Sequence, residues 1–305
     1  MIDQRALQVV VRPGIGPESF WKPAVMVDSA WHEHAPFASW LVAQVRPRSI
    51  VELGTHNGFS FFVFCEALAR CGIDASAVAV DTWRGDEHAG FYGEEIFAAV
   101  AEIRQARYPT AELYRGYFDE AALVVEDGSV DLLHIDGRHG YEDVLHDFET
   151  WLPKLSDRGV VLFHDTAEHI EGFGVWRFWD EVQKRYPSFG FTHGHGLGVL
   201  AVGEHVSPAL LDLMASDSET LDTVRRTYEA LGRDISRSHD EQRQWEGRLD
   251  ELRTRIAELE SVENGLRDRV ELLVREREEI LSSTSWKVTA PLRAVGSVRH
   301  RRTAR

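Results

Sequence analysis

Hydrophobic and polar positions along the chain fall into two regimes. Between Ile50 and Gly203, short apolar runs alternate with longer segments of helical period. The runs SIVEL (49–53), AVAVD (77–81), AELYRG (111–116), VDLLHID (130–136) and GVVLFHD (159–165) are bounded by turn-forming or charged residues and read as strands. GFSFFVFCEALARCG, EEIFAAVAEIRQARY, DEAALVVE, YEDVLHDFETWLPKL and GVWRFWDEVQKRY read as the intervening helices. Two short strands near FGFTH and LGVLAVG close the segment. Strands separated by helices of this length predict an α/β fold, a mostly parallel, doubly wound sheet with helices on both faces. Residues 1–28, with Pro13, Pro17 and Pro23, read as an irregular lead-in, and 29–205 as the folded domain.

The second regime begins after Pro208 and is charged helix. Trp245, Leu252, Leu259, Leu266, Leu273 and Ile280 recur every seven residues, and Leu249, Ile256 and Val270 lie four residues after three of them. That is the seam of a coiled coil within 206–283, and it predicts self-association. Glu263 and Arg277 interrupt its second row, and Gly265 weakens the helix, which favours a short or register-restricted pairing. From Thr284 to Arg305 there are six Lys/Arg and no acid, interleaved with Trp286, Val288, Leu292, Val295 and Val298. This basic tail suits contact with an anionic inner-membrane surface.

Charge and cysteine content narrow the classes. With 34 basic against 50 acidic residues the chain carries a formal charge of -16, which excludes nucleic acid as a partner, since phosphate neutralisation needs a basic surface. The two cysteines, Cys65 and Cys71, fall on different faces of one predicted helix, so no disulfide is expected. No apolar run approaches the ~20 residues of a membrane span, and the opening residues lack the layout of a secretory signal. The expectation is a cytoplasmic protein, with its tail at the membrane face.

Chemistry concentrates at strand ends. In open α/β sheets, ligands bind outside the carboxyl ends of the strands. The fourth strand ends in His134, Asp136 and His139, and the fifth in His164 and Asp165. Asp136 is the first choice as metal ligand or base, with Asp165 facing it and His139 and His164 as base or ligand. Carboxylate-rich sites suit Mg²⁺, Mn²⁺ or Ca²⁺, and two imidazoles draw a site toward Zn²⁺ or Fe²⁺. His134 lies deeper on the same side of its strand and reads as a core histidine. Asp147 and Tyr141 read as packing or solvating their helix. The loop from Arg84 to Glu95 follows the second strand and reads as a lid, whereas His193 and His195 read as hairpin turn.

The first strand runs into VELGTHNGFS, where Gly54 and Gly58 permit a tight turn and close approach of a ligand. The spacing is G-x-x-x-G, so the dinucleotide pattern G-x-G-x-x-G is absent. Asp81 ends the second strand, where an acid can bind ribose hydroxyls. A nucleotide-like ligand lacking a pyrophosphate fits both.

VELGTHNGFS, AVDTWRGDEHAGFYGEEIF and DLLHIDGRHGYEDVLHDFETWLPKLSDRGVVLFHDT together resemble the class I S-adenosylmethionine-dependent methyltransferases. Within them the chain is similar to a bacterial branch that includes macrocin-type sugar O-methyltransferases and the cephalosporin hydroxylase relatives. The resemblance spans about Ser29 to Gly203. It implies a Rossmann-like sheet of seven strands, the last antiparallel, with S-adenosylmethionine across Glu52, Gly54, Thr55, Gly58 and Ser60. Asp81 would hold the ribose, flanked by Thr82 and Trp83, with Phe118 and Asp119 near the adenine. Carbohydrate O-methyltransferases of this kind bind a divalent metal through two adjacent acids after the fifth strand. Here that pair reads His164-Asp165, and the implied ligands are Asp136, Asp165 and His164.

The resulting expectation is a metal-assisted O-methyltransferase acting on a saccharide in surface-glycan assembly. Two other readings use the same residues: a non-haem-iron oxygenase on this fold, and a non-catalytic coiled-coil scaffold of a glycan-assembly complex.

Overall fold

The computed structural model of the chain describes residues 13–86 and 90–293. In chain order the elements are α1 (Ala35–Val45), β1 (Ser49–Leu53), α2 (Phe59–Arg70), β2 (Ser76–Asp81), β3 (Gly85–Asp86), β4 (Gly90–Phe91), α3 (Glu94–Arg107) and β5 (Glu112–Arg115). They continue with α4 (Phe118–Val124), β6 (Val130–Ile135), α5 (Tyr141–Trp151), β7 (Leu155–His164), α6 (Val175–Val182), β8 (Ser188–Phe191) and β9 (Leu197–Ala201). Three helices close the chain: α7 (Pro208–Met214), α8 (Ser218–Ser282) and α9 (Thr284–Val288).

Seven strands form one sheet in the order β5-β2-β1-β6-β7-β9-β8. The pairs β1–β2, β1–β6, β2–β5 and β6–β7 are parallel, and β9 runs antiparallel to both β7 and β8. The order reverses between β1 and β6, which opens a crevice at their carboxyl ends. This is a seven-stranded, Rossmann-like mixed sheet, followed by a long C-terminal helix. The segment after β2 carries two short antiparallel strands, β3 and β4. Residues 87–89, within the stretch expected to be a lid, lie outside the described residues.

Alternation along the strands divides the core between the two faces of the sheet. Val160 and Leu162 of β7 join Phe37, Leu41, Phe61 and Phe64 of α1 and α2. Val161 and Phe163 join Phe148, Trp151, Phe178 and Trp179 of α5 and α6. Each such side chain contributes on the order of 1.5–3 kcal/mol by leaving water.

Two features were not visible in the periodicity. Helix α1 is apolar nearly all round, with Ala35, Phe37, Ala38, Trp40, Leu41, Val42 and Val45 all buried. Helix α8 buries Val224, Tyr228, Gly232, Ile235 and His239 along one face of its first turns. Tyr228 donates its hydroxyl hydrogen to the Gly14 carbonyl at 2.7 Å. Gly232 lies so close to the Glu33 backbone that a Cβ there would come within 2.2 Å of its carbonyl oxygen. One compact unit therefore ends at His239, and a second starts at Asp240. In the second unit the heptad side chains from Trp245 to Ile280 are exposed along a continuous helix. The basic tail from residue 294 onward lies outside the described residues.

Candidate active site

The glycine turn after β1 is built around one carboxylate. Asp81 Oδ2 accepts the backbone N–H groups of Thr55 and His56, both at 2.9 Å, and Oδ1 accepts that of Trp83 at 2.7 Å. A carboxylate has about four acceptor positions, so Asp81 keeps room for about one more hydrogen bond. Gly54 has φ +88, and a Cβ on it would fall 2.0 Å from the Asp136 carbonyl oxygen. Only glycine allows the turn to press against the end of β6 in this way. His56 and Trp83 hold positive φ on either side of the same acid, a cost tolerated where the surroundings over-determine the backbone.

Behind the turn, Glu52 and His134 are both fully buried, and their Oε2 and Nδ1 lie 2.8 Å apart. Register explains the pairing, because the two residues are direct neighbours across β1 and β6. Burial raises the Glu52 carboxyl, against the pull of His134. His134 is thus the core histidine its position in the strand predicts.

At the ends of β6 and β7, Asp136, His139 and Asp165 bring one donor atom each to within 4.8 Å of one another. His139 Nε2 lies 2.8 Å from Asp165 Oδ2, and its ring stacks on Phe173 with centroids 4.4 Å apart. His164 Nδ1 lies 3.3 Å from Asp136 Oδ1 and 3.5 Å from Asp165 Oδ1. Its Nε2 donates to the Gly194 carbonyl at 3.2 Å, so both ring nitrogens are engaged. Burial alone would depress the His164 imidazole, but the two carboxylates outweigh it and push it up to about 10. The distances group His139, rather than His164, with the two acids.

A second histidine supports the same carbonyl. His34 Nε2 donates to Gly194 at 2.8 Å, and burial beside the His164 cation holds its imidazole well below the usual range. Two imidazole rings thus share one acceptor in the hairpin between β8 and β9. His195 in that hairpin has φ +68 and binds Glu168 through Nδ1 at 2.6 Å. These contacts join α1 to a distant turn, and no local pattern announces them.

The turn and the acid cluster face one cleft of about 1190 Å³. A single small-molecule pocket occupies ~300–1,000 Å³, so this cleft exceeds the volume one such ligand needs. Gly54, Thr55, Ser60, Asp81, Thr82, Phe118 and Asp119 line it, whereas Glu52, Gly58 and Trp83 stand behind the wall and support it. Asp136, His139, His164 and Asp165 line it too. Trp31, Tyr92, Tyr117, Arg138, Asp147, Phe173 and His195 also line it, and the strand-end reading had not assigned these. Nine acids and two arginines among the lining residues make the cleft strongly negative, which favours cationic ligands.

The residues fit both implied groups. For the cofactor, Gly54 leaves a cradle that a Cβ would fill, and the buried Thr55 Oγ1 has no hydrogen-bond partner among the described residues. For a metal, two carboxylates and one imidazole form a donor set suited to a divalent ion.

Residues 51–166 match the family described as a methyltransferase domain. The chain is 53% identical over 192 residues to an uncharacterized protein, y4gI, of Sinorhizobium fredii, covering 63% of this chain and 21% of that protein. It thus spans about a fifth of that curated relative. Among solved structures, it is similar to the O-methyltransferase TomG of Streptomyces achromogenes in complex with S-adenosylmethionine (17% identity, 59% of this chain, 83% of that chain, TM-score 0.44). It is also similar to the Podospora anserina methyltransferase PaMTH1 bound to S-adenosylhomocysteine (15% identity, 55% of this chain, 76% of that chain, TM-score 0.43). No helix among the described residues is long and apolar enough to cross a membrane.

Proposed function

We propose that this chain is an S-adenosylmethionine-dependent O-methyltransferase that methylates a saccharide hydroxyl in glycan assembly, with a divalent ion held by Asp136, His139 and Asp165. The observation that carries the reading is the shared cleft: the glycine turn clamped by Asp81 faces the acids at the ends of β6 and β7. S-adenosylmethionine, when bound, supplies a methyl group on a cationic sulfonium, and the negative lining of the cleft favours that charge. A divalent ion, when bound, lowers the pKa of a hydroxyl beside it.

The chain's own residues supply alignment and a proton acceptor. Aligning the attacking oxygen can contribute on the order of 7–11 kcal/mol. Asp136 is the more open carboxylate, at 21% exposure against 10% for Asp165. As the hydroxyl oxygen takes the methyl and the methyl–sulfur bond breaks, the hydroxyl proton has to leave, and Asp136 would accept it, although His164 holds its carboxyl below the usual range against the effect of burial. His164 ties both carboxylates together through Nδ1 and holds the hairpin through Nε2.

One imidazole and two carboxylates differ from the two histidines and one carboxylate of iron oxygenases, which favours methyl transfer over hydroxylation. The exposed heptad stripe supports pairing with a second copy through α8, and the basic tail supports contact with anionic lipid. Titration calorimetry with S-adenosylhomocysteine tests the reading, followed by transfer of labelled methyl to lipid-linked saccharides. Absence of cofactor binding would sink it.

A further inference from the structure

One ionisable group on the cleft wall has no assigned work. Asp147 is 7% exposed, lines the cleft, and makes no hydrogen bond or ion pair with any described residue. Read as a solvating residue of its helix, it would face water; instead it faces inward between α4 and α5. A Cβ built on Gly137 would lie 2.5 Å from the Phe118 ring and 3.4 Å from Asp147 Oδ2. An aromatic ring, a bare stretch of backbone and a carboxyl therefore converge on one spot. Asp119, by contrast, is 63% exposed and already bound to His146 Nε2 at 2.9 Å.

We infer that Asp147 reads the edge of the cofactor's adenine, its carboxyl donating to the ring nitrogen N1 and accepting from the exocyclic amine. The inference rests on the cofactor reading above. A flat heterocycle lying against Phe118 and Gly137 would bring its edge to this carboxyl. Adenine's edge offers an acceptor beside a donor, and a protonated carboxyl is its complement. Burial pushes the Asp147 carboxyl up to about 7. The charged groups around it pull both ways: His146 and Arg138 lower it, and Asp143 and Asp119 raise it. The acid is therefore available as a donor near neutral pH, where an ordinary aspartate is not. Selection against guanine-like edges, which offer a donor at N1 and an acceptor at position 6, falls to the rigid cleft around it.

The test is titration of the full chain with S-adenosylhomocysteine at pH 6 and pH 8.5, for the wild type, Asp147→Asn and Asp147→Ala. The wild type should bind roughly tenfold or more weakly at pH 8.5. Asn offers the same donor and acceptor without a titrating proton, so Asp147→Asn should bind within a few-fold of the wild type at pH 6 and lose this pH dependence. Asp147→Ala should bind roughly tenfold more weakly at pH 6. Should Asp147→Ala fail to fold, the Asn variant decides alone. Wild-type binding whose pH dependence persists unchanged in Asp147→Asn would overturn the inference and leave the cofactor reading standing. A wild type that binds at neither pH would overturn both.

Discussion

Thr55 donates its backbone N–H to the Asp81 carboxylate at 2.9 Å, so the acid that ends the second strand holds the glycine turn that ends the first. Because His56 and Trp83 donate to the same carboxylate, Asp81 organises the turn before any ligand arrives. An acid at this position is commonly read as a ribose anchor, but here its larger task is preorganisation. The ligand then meets a backbone already fixed, which lowers the ordering cost of binding.

Asp81→Asn should accordingly weaken the turn as well as the ligand. The amide can present its oxygen to one side only, so at least one of the three backbone donors faces an N–H₂. Leaving one buried donor unmet costs about 1–3 kcal/mol. We expect S-adenosylhomocysteine affinity to fall roughly tenfold to a hundredfold, with a lower melting temperature in the absence of ligand. A variant that loses affinity while its unliganded melting temperature stays unchanged would show that Asp81 acts on the ligand alone.

Asp136→Asn should separate chemistry from binding. The Asp136 carboxylate takes no part in the Asp81 clamp and faces His164 and the acid cluster instead. Transfer of labelled methyl should fall on the order of 10²- to 10⁴-fold, while S-adenosylhomocysteine affinity stays within a few-fold. Equal loss of both would assign Asp136 a structural role.

Divalent ions should stabilise the fold through Asp136, His139 and Asp165. Ion at about 100 times its dissociation constant adds about 2.7 kcal/mol to the folded state, visible as a rise in Tm with Mn²⁺, Mg²⁺ or Zn²⁺. Asp165→Asn should erase the rise, and His164→Gln should leave part of it. Equal responses from the wild type and Asp165→Asn would remove the cluster as a metal site.

Much of this architecture was legible in the chain, and the gaps have physical causes. The strands stood out because Val160 to Phe163 alternate between two buried faces, and the strand-end acids followed from them. Helix α1 was hidden because a segment buried on nearly all sides has no polar face to mark its period. The first turns of α8 were hidden for the opposite reason. Val224, Tyr228, Ile235 and His239 form a sparse stripe, widened by Gly232, that only close packing makes meaningful. In the site, Asp136 and Asp165 announced themselves by position. The grouping of His139 over His164 did not, because it depends on the Gly194 carbonyl, brought in by a hairpin 30 residues away.

Asp131, far from the cleft at the opposite end of β6, should govern acid stability. Its buried carboxylate accepts the backbone and side-chain N–H groups of Arg48 and the Ser156 hydroxyl. Burial raises this carboxyl, but those bonds outweigh it and bring it down to about 2. A depressed carboxyl stabilises the fold fully above its unfolded value near 4, and that stability is lost as pH falls toward 2. The contribution is about 2 kcal/mol. Asp131→Asn should lower Tm at pH 7 by roughly 4–8 °C and flatten the dependence of Tm on pH between 4 and 2. An unchanged acid limb in the variant would locate the sensitive group elsewhere.

The last prediction concerns where the chain can be cut. Leu210, Leu213, Val224, Tyr228 and Ile235 are all buried in the core. A chain ending at Gly203 loses them and should not fold, because each buried large side chain removed costs on the order of 2–5 kcal/mol. A chain ending at His239 keeps them all. It sheds the stripe of Trp245, Leu252, Ile256, Leu259 and Leu266, each more than half exposed. Such a stripe on a single helix is what a paired coil buries. Light scattering should therefore report an oligomer for the full chain and a monomer for the chain ending at His239, with S-adenosylhomocysteine affinity equal in both. Leu259→Glu together with Leu266→Glu in the full chain should give the same monomer without any truncation, since two charges in the seam oppose pairing. An oligomer that survives both changes would assign assembly to a surface of the methyltransferase domain and leave the stripe to a different partner.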